Sequence, residues 1–222
     1  MSSPFEQLDP TKKNKIIQAA LEEFAEHKYE QASTNRIVKR AGIGKGMLFY
    51  YFNSKNELYR YLIDYSLDQI YPMLMEDYRK GIEEAGGDFI ERSYNIARVK
   101  ATFMAKEPNV FNFLGTVVIQ DFDMLPAEVQ QRITRLQEDA YRMLYEDVDL
   151  TLFKKELDRE KAMNLIRWSL DGYQQDLQNQ LKGEQIPSLN MDRYWDEFYA
   201  YLDILREAYY ERGANNGKRD SD

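Results

Sequence analysis

The residues best equipped for chemistry lie between Ser33 and Glu57. Lys45, Gly46, Met47, Leu48, Phe49, Tyr50, Tyr51 and Phe52 follow one another without a break. Leu48 and Phe52, four residues apart, supply the inward stripe of a short helix. The remaining aromatics then face outward in part, which costs free energy unless a partner covers them. Gly44 and Gly46 leave the start of that helix bare, where backbone N–H groups attract anions, phosphate first. Lys55 adds a positive charge at the start of the next helix. Together these features suit a helix seated in a DNA major groove with phosphate clamps beside it. The plainer alternative is an aromatic-rich helical hairpin with no partner.

Catalysis has much less to draw on. Histidine occurs once, at His27, just after the first helix, where a solvated or capping role is expected. Cysteine is absent, which removes disulfides and thiolate metal sites. No serine or metal-ligand cluster has a histidine partner in prospect, and most of the 38 acids read as solvated helix faces. No catalytic residue, metal or cofactor is therefore expected.

The elements that must position the 33–57 segment are helical throughout. A first helix runs from about Asp9 or Thr11 to Glu26, with Ile16, Ala20 and Phe24 as its buried stripe. Lys12, Lys13 and Lys15 sit near its start, against the helix dipole; they are either solvated or close to an anion. Ser33 and Thr34 can cap a short second helix through Ile37 and Val38. It ends at Ala41-Gly42, and Ile43-Gly44 leads into the third helix, which makes a helix-turn-helix. Ser54 and Glu57 form a capping box for a long fourth helix, which Pro72 should kink. Five more helices follow, spanning about 88–105, from Pro108, Glu128 to Tyr145, Asp158 to about Lys182, and Asn190 to Gly213. The fold class is all-α with about nine helices. The expected division is a DNA-binding domain over residues 1–60, a sensing and dimerising domain over 61–213, and a disordered tail over 214–222.

Bulk properties are compatible with this reading. The 222 residues are 43% hydrophobic, enough for a sizeable core, and no apolar run is long enough for a membrane span. The N-terminus has no secretory pattern, so a cytoplasmic protein is expected. Net charge is −8, yet the first 60 residues carry 10 Lys/Arg against 7 Asp/Glu. The excess of acid falls behind the DNA-binding segment, so the total does not argue against a nucleic-acid partner.

Taken in order, Ile16–Phe24, Ser33–Val38, the run AGIGKGMLFYYF from Ala41 to Phe52, and SKNEL from Ser54 to Leu58 closely resemble the N-terminal domain of the TetR family of bacterial regulators. The resemblance covers about residues 11–60 without a gap. It implies a homodimer that binds a palindromic operator in double-stranded DNA, usually as a repressor, and is released by a small-molecule effector. The alternative is a regulator without such a ligand, an activator or a protein controlled by a partner. Carried across by position, Thr34 and Arg36 would meet phosphate and Asn35 could read a base. Lys45, Gly46 and Met47 would approach base edges, Lys45 donating to guanine. Phe49 and Tyr50 would lie against the backbone or a thymine methyl, and Lys55 would anchor a phosphate. Phe49 stands where the family most often has tyrosine, and Gly44 replaces the usual serine or threonine cap. Both departures bear on which operator is read.

The remainder of the chain has no such signature. The stripes Leu165, Ile166, Leu170, Tyr173 and Trp195, Phe198, Leu202, Leu205 on the last two helices could pair across a two-fold axis as a four-helix dimer interface. Aromatic residues are abundant between 60 and 180. Phe103, Phe111, Phe113, Tyr141 and Trp168 are candidates for an effector pocket, with Asp171 or Asp121 available to balance a cation. Ordinary core packing is the alternative for each of them.

Overall fold

Apolar residues at helical spacing leave this chain little alternative to helices, and the computed structural model describes residues 4–211 as ten of them. Helix α1 spans Pro10–Gln31; the side chain of Asp9 caps it by accepting from the Lys12 amide at 3.1 Å. Lys28 breaks its regular course with φ 56° and ψ 172°. The expected end at Glu26 therefore lies just before this break. Helix α2 spans Thr34–Ala41, and Gly42 ends it in the left-handed conformation at φ 68°. Ser33 occupies the N-cap position, but its hydroxyl makes no capping bond. Helix α3 is Lys45–Tyr51 and α4 is Lys55–Tyr65. Ser54 Oγ accepts from the Glu57 amide at 3.1 Å, as a capping box requires. Glu57 reaches back one residue further than expected, accepting from the amide of Asn53 at 2.9 Å.

A π-helical turn, Ser66–Ile70, joins α4 without interruption to α5, Tyr71–Ala85. Proline lacks an N–H and crowds the carbonyl four residues earlier. For Pro72 that carbonyl belongs to Asp68, inside the widened turn. The irregularity thus precedes the proline that demands it. Counting α4 and α5 as one helix gives nine among the described residues, in line with the sequence reading.

Helix α6 is Phe89–Lys106, capped by Asp88, whose carboxylate accepts from the Glu91 amide at 3.0 Å. Pro108 opens α7, Pro108–Thr116, and a second π-helical turn follows at Val117–Asp121. Helix α8 is Ala127–Tyr145 and α9 is Arg159–Leu181, with Asp158 accepting from the Lys161 amide. Helix α10, Asp192–Tyr209, ends before Tyr210, which pairs with Phe153 in an isolated bridge. The helix thus stops four residues short of the expected end at Gly213, because Tyr210 is already extended; the expected tail lies outside the described residues. No helix among the described residues is long and apolar enough to cross a membrane.

Packing divides the chain into two units that do not follow chain order. The first takes the residues up to Leu74, Thr102–Arg132 and Leu181–Leu189; the second takes Met75–Ala101, Ile133–Gln180 and the residues from Asn190 on. Within the first unit, Ile16, Leu21, Phe24, Ile37, Leu48, Leu58 and Leu62 are almost wholly buried. Asp121, also buried, accepts from the Tyr29 amide at 3.0 Å and the Tyr59 hydroxyl at 2.9 Å, so it ties the end of α1 to α4. That occupation removes Asp121 as a free counter-charge for a cationic effector. In the second unit, Phe89, Ile90, Ile166, Leu170, Leu202 and Leu205 share one core. Arg92 is buried beside it and donates to the carbonyls of Gly86, Leu144, Glu146 and Asp147.

Lys28 adopts a backbone conformation that a side chain strains and glycine does not. Lys28→Gly is expected to stabilise the protein by ~1 kcal/mol, the strain relieved exceeding the added chain entropy. Urea unfolding of the two proteins at equal concentration checks the sign.

Candidate nucleic-acid interface

The candidate surface is built on α1, which turns its apolar stripe towards α2. Glu23 falls on that stripe, level with Ala20 and Phe24, and its side chain is wholly buried. A buried carboxylate needs donors. Glu23 Oε1 accepts from the Ser33 amide at 2.8 Å and from Arg36 Nε at 2.8 Å. The Ser33 amide precedes α2, so a side chain from α1 fixes where α2 begins. Burial pushes the Glu23 carboxyl up, but the Arg36 and Ser33 hydrogen bonds and the charge on Arg36 outweigh it and hold it below the usual carboxylate value. One turn further on, Arg40 reaches Glu22 at 3.3 Å and Glu26 at 2.9 Å.

The other end of α1 is closed from α4. Lys55 Nζ donates to the carbonyls of Tyr29, Glu30 and Ala32 at 2.7, 3.1 and 3.2 Å and lies 4.7 Å from the Tyr29 ring centre. Carbonyls at a helix end lack partners within the helix. Lys55 therefore serves here as a C-terminal cap for α1, a role that chain spacing gave no sign of. Arg36 is likewise engaged, by Glu23 and the Gln31 carbonyl, though half of it stays exposed.

With α2 and α3 held this way, Ile37, Val38, Ala41, Leu48 and Phe52 point inward and the opposite side faces solvent. Asn35, Arg36, Lys39, Gly44, Lys45, Gly46, Phe49 and Tyr50 are exposed on that side, while Thr34 and Met47 are half-buried. Tyr50 is 71% exposed, an extreme value for a large aromatic in a folded head. Lys45 Nζ lies 5.9 Å from the centre of the Phe49 ring. From Gln31 to Asn56 the chain has no acidic residue but five cations, a run that the count over the first 60 residues conceals. A Cβ added at Gly44 or Gly46 would meet nothing within 4 Å. Internal packing does not require glycine at either place. All ten expected DNA-contacting residues thus sit in one unit, on or beside the α2–α3 hairpin, with Lys55 turned to a structural task.

The other expected site residues separate. Ile166 and Leu202 are wholly buried in their own core, and Leu170 and Leu205 nearly so. They are spent within the chain, which leaves no surface for a partner. Leu165, by contrast, is 45% exposed, and Tyr173, Trp195 and Phe198 are half-buried. Trp168 on α9, expected in a pocket, is instead 60% exposed, and on α10 Tyr201 and Ile204, outside the expected stripes, are exposed as well. Of the expected pocket residues, Phe103, Phe111 and Phe113 fall in the first unit, where Phe113 is sealed against Phe24 and Tyr59. Tyr141 and Trp168 fall in the second. Tyr141 stacks on Tyr145 at 4.3 Å and borders an open depression of about 650 Å³ along α8.

Residues 16–62 match the family model described as bacterial regulatory proteins, tetR family. The chain is 43% identical over 63 residues to the uncharacterized HTH-type transcriptional regulator YvdT of Bacillus subtilis (strain 168), a stretch covering 27% of this chain and 32% of that protein. It is 32% identical over 113 residues to the fatty acid metabolism regulator protein of the same organism, covering 51% of this chain and 45% of that one. The aligned stretches thus span less than half of either relative. The fold is shared with a TetR family transcriptional regulator from Chloroflexus aurantiacus J-10-FL, with a TM-score of 0.57, 23% identity, and coverage of 94% of this chain and 97% of that one.

Replacing Lys55 by alanine leaves three helix-end carbonyls without their charged donor. Lys55→Ala is expected to lower unfolding stability by about 2 kcal/mol, measured by urea titration in the absence of DNA.

Proposed function

The chain belongs to the TetR family of DNA-binding transcriptional regulators, and from that premise we propose that it acts as a homodimeric repressor, released from a palindromic operator by a small molecule. The observation that carries the DNA-binding part is the outward side of α2 and α3. It is free of acids, it exposes Tyr50 and Phe49, and its two glycines leave room that the fold itself does not use. In this reading Thr34 and Arg36 meet phosphate, Asn35 and Met47 lie near base edges, and Lys45 donates to guanine. Arg36 reaches phosphate while still anchored to Glu23, so its position is set before DNA arrives. Lys55 supports this surface from behind.

The stripe of exposed apolar side chains on α9 and α10 supports dimerisation. Leu165 and Trp168 on one helix and Tyr201 and Ile204 on the other are costly to leave in water, and a second copy is the partner that a palindromic operator calls for. For the effector, the relative named as a fatty acid metabolism regulator makes fatty acids and their derivatives the first class to test. We read the protein as cytoplasmic and as a binding protein rather than an enzyme, in keeping with the family of regulators whose model it matches.

Selection of bound duplexes from a random pool is expected to return an inverted repeat. Lys45→Ala should relax preference at one base pair of each half-site by ~1–3 kcal/mol. Selection of the same sites with equal stringency by both proteins would remove Lys45 from base reading. Ile204→Glu is expected to convert the dimer to a folded monomer, seen by sedimentation, with helical content unchanged by circular dichroism.

A further inference from the structure

We propose that Glu23, Glu26 and His27 form a site for one divalent transition-metal ion on α1, with Zn²⁺ the ion best suited to its ligands. The three residues sit at i, i+3 and i+4, on one side of the helix. One ligand atom from each, two carboxylate oxygens and an imidazole nitrogen, lie within 4.8 Å of one another. Helical spacing alone would not make this a site.

The second observation is the state of Glu23. Its side chain is wholly buried, and Oε1 takes the bonds from Ser33 and Arg36. Oε2 is enclosed as well, yet no donor reaches it. It faces His27 Nε2 at 4.0 Å, beyond hydrogen-bond range. A buried carboxylate oxygen without a partner is costly, and such an atom marks a place where something else binds. His27 Nε2 is also 3.7 Å from Glu26 Oε2, again too far for a hydrogen bond.

The geometry can close around an ion. Zinc bonds to nitrogen and oxygen of about 2.0–2.2 Å require the three ligand atoms to draw together by roughly 1 Å. Glu23 is fixed, while Glu26 and His27 are about one-third exposed. Glu26 Oε2 also accepts from Arg40, but Arg40 has Glu22 as a second partner and does not become unpaired when Glu26 moves. An imidazole ligand favours zinc over magnesium or calcium, and three protein ligands leave a fourth position for water. Because Glu23 also holds Ser33 and Arg36, an ion here would stiffen the start of α2 from behind. The proposal does not depend on the DNA reading.

Calorimetric titration of the full chain with ZnCl₂, with MgCl₂ as comparison, tests it alongside thermal melting. One Zn²⁺ per chain and a raised Tm are expected for the unaltered protein. His27→Gln and Glu26→Gln replace partly exposed side chains, so both should fold, and each should bind Zn²⁺ at least tenfold more weakly. An absence of saturable binding, an equal response to Mg²⁺, or a loss of less than tenfold in His27→Gln would overturn the site.

Discussion

A carboxylate sealed among apolar side chains must find donors, and Glu23 finds them in the residues that begin the next helix. Its hold on the Ser33 amide and the Arg36 guanidinium sets the start of α2 against α1. Arg40 repeats the connection one turn on. Gly42 then allows only a tight turn into α3, so the direction in which Lys45, Phe49 and Tyr50 face descends from that single buried acid. The arrangement gives Arg36 two duties, since the guanidinium that neutralises Glu23 remains half-exposed on the outer side. Removing Glu23 would both unseat α2 and free a charge on the surface.

Much of this was legible in the residues. Leu48 and Phe52 could only be an inward stripe, Gly42 could only end a helix, and Ser54, Asp88 and Asp158 announced the caps they form. Glu23 was legible in principle, because it interrupts the stripe Ile16, Ala20, Phe24 with a charge. The task of Lys55 was not, since it closes a helix that ends more than twenty residues earlier, and no local rule reaches that far. The π-helical turns also lay beyond the pattern. Pro72 foretold a disturbance, but its site, one turn earlier, depends on how the chain relieves the crowded carbonyl.

The second unit shows why periodicity alone assigns faces poorly. Helices α9 and α10 carry apolar residues around more than one side: Ile166 is buried while its neighbour Leu165 is exposed, and Leu202 is buried while Ile204 is 60% exposed. A stripe wide enough for two contacts does not say which contact is internal. Only the packed core, gathered around Phe89, Phe153 and Tyr210, separates the side used by the chain from the side left over.

The empty space around Gly44 and Gly46 has a consequence for how such a protein diverges over generations. Where a side chain would touch nothing of its own molecule, replacement is judged by the outside partner alone. Variants at these two places can explore new binding preferences while the thermodynamic safety margin of the fold stays intact. Inheritance of the scaffold and drift of what it recognises are thereby uncoupled, at two positions in the first turn of one helix.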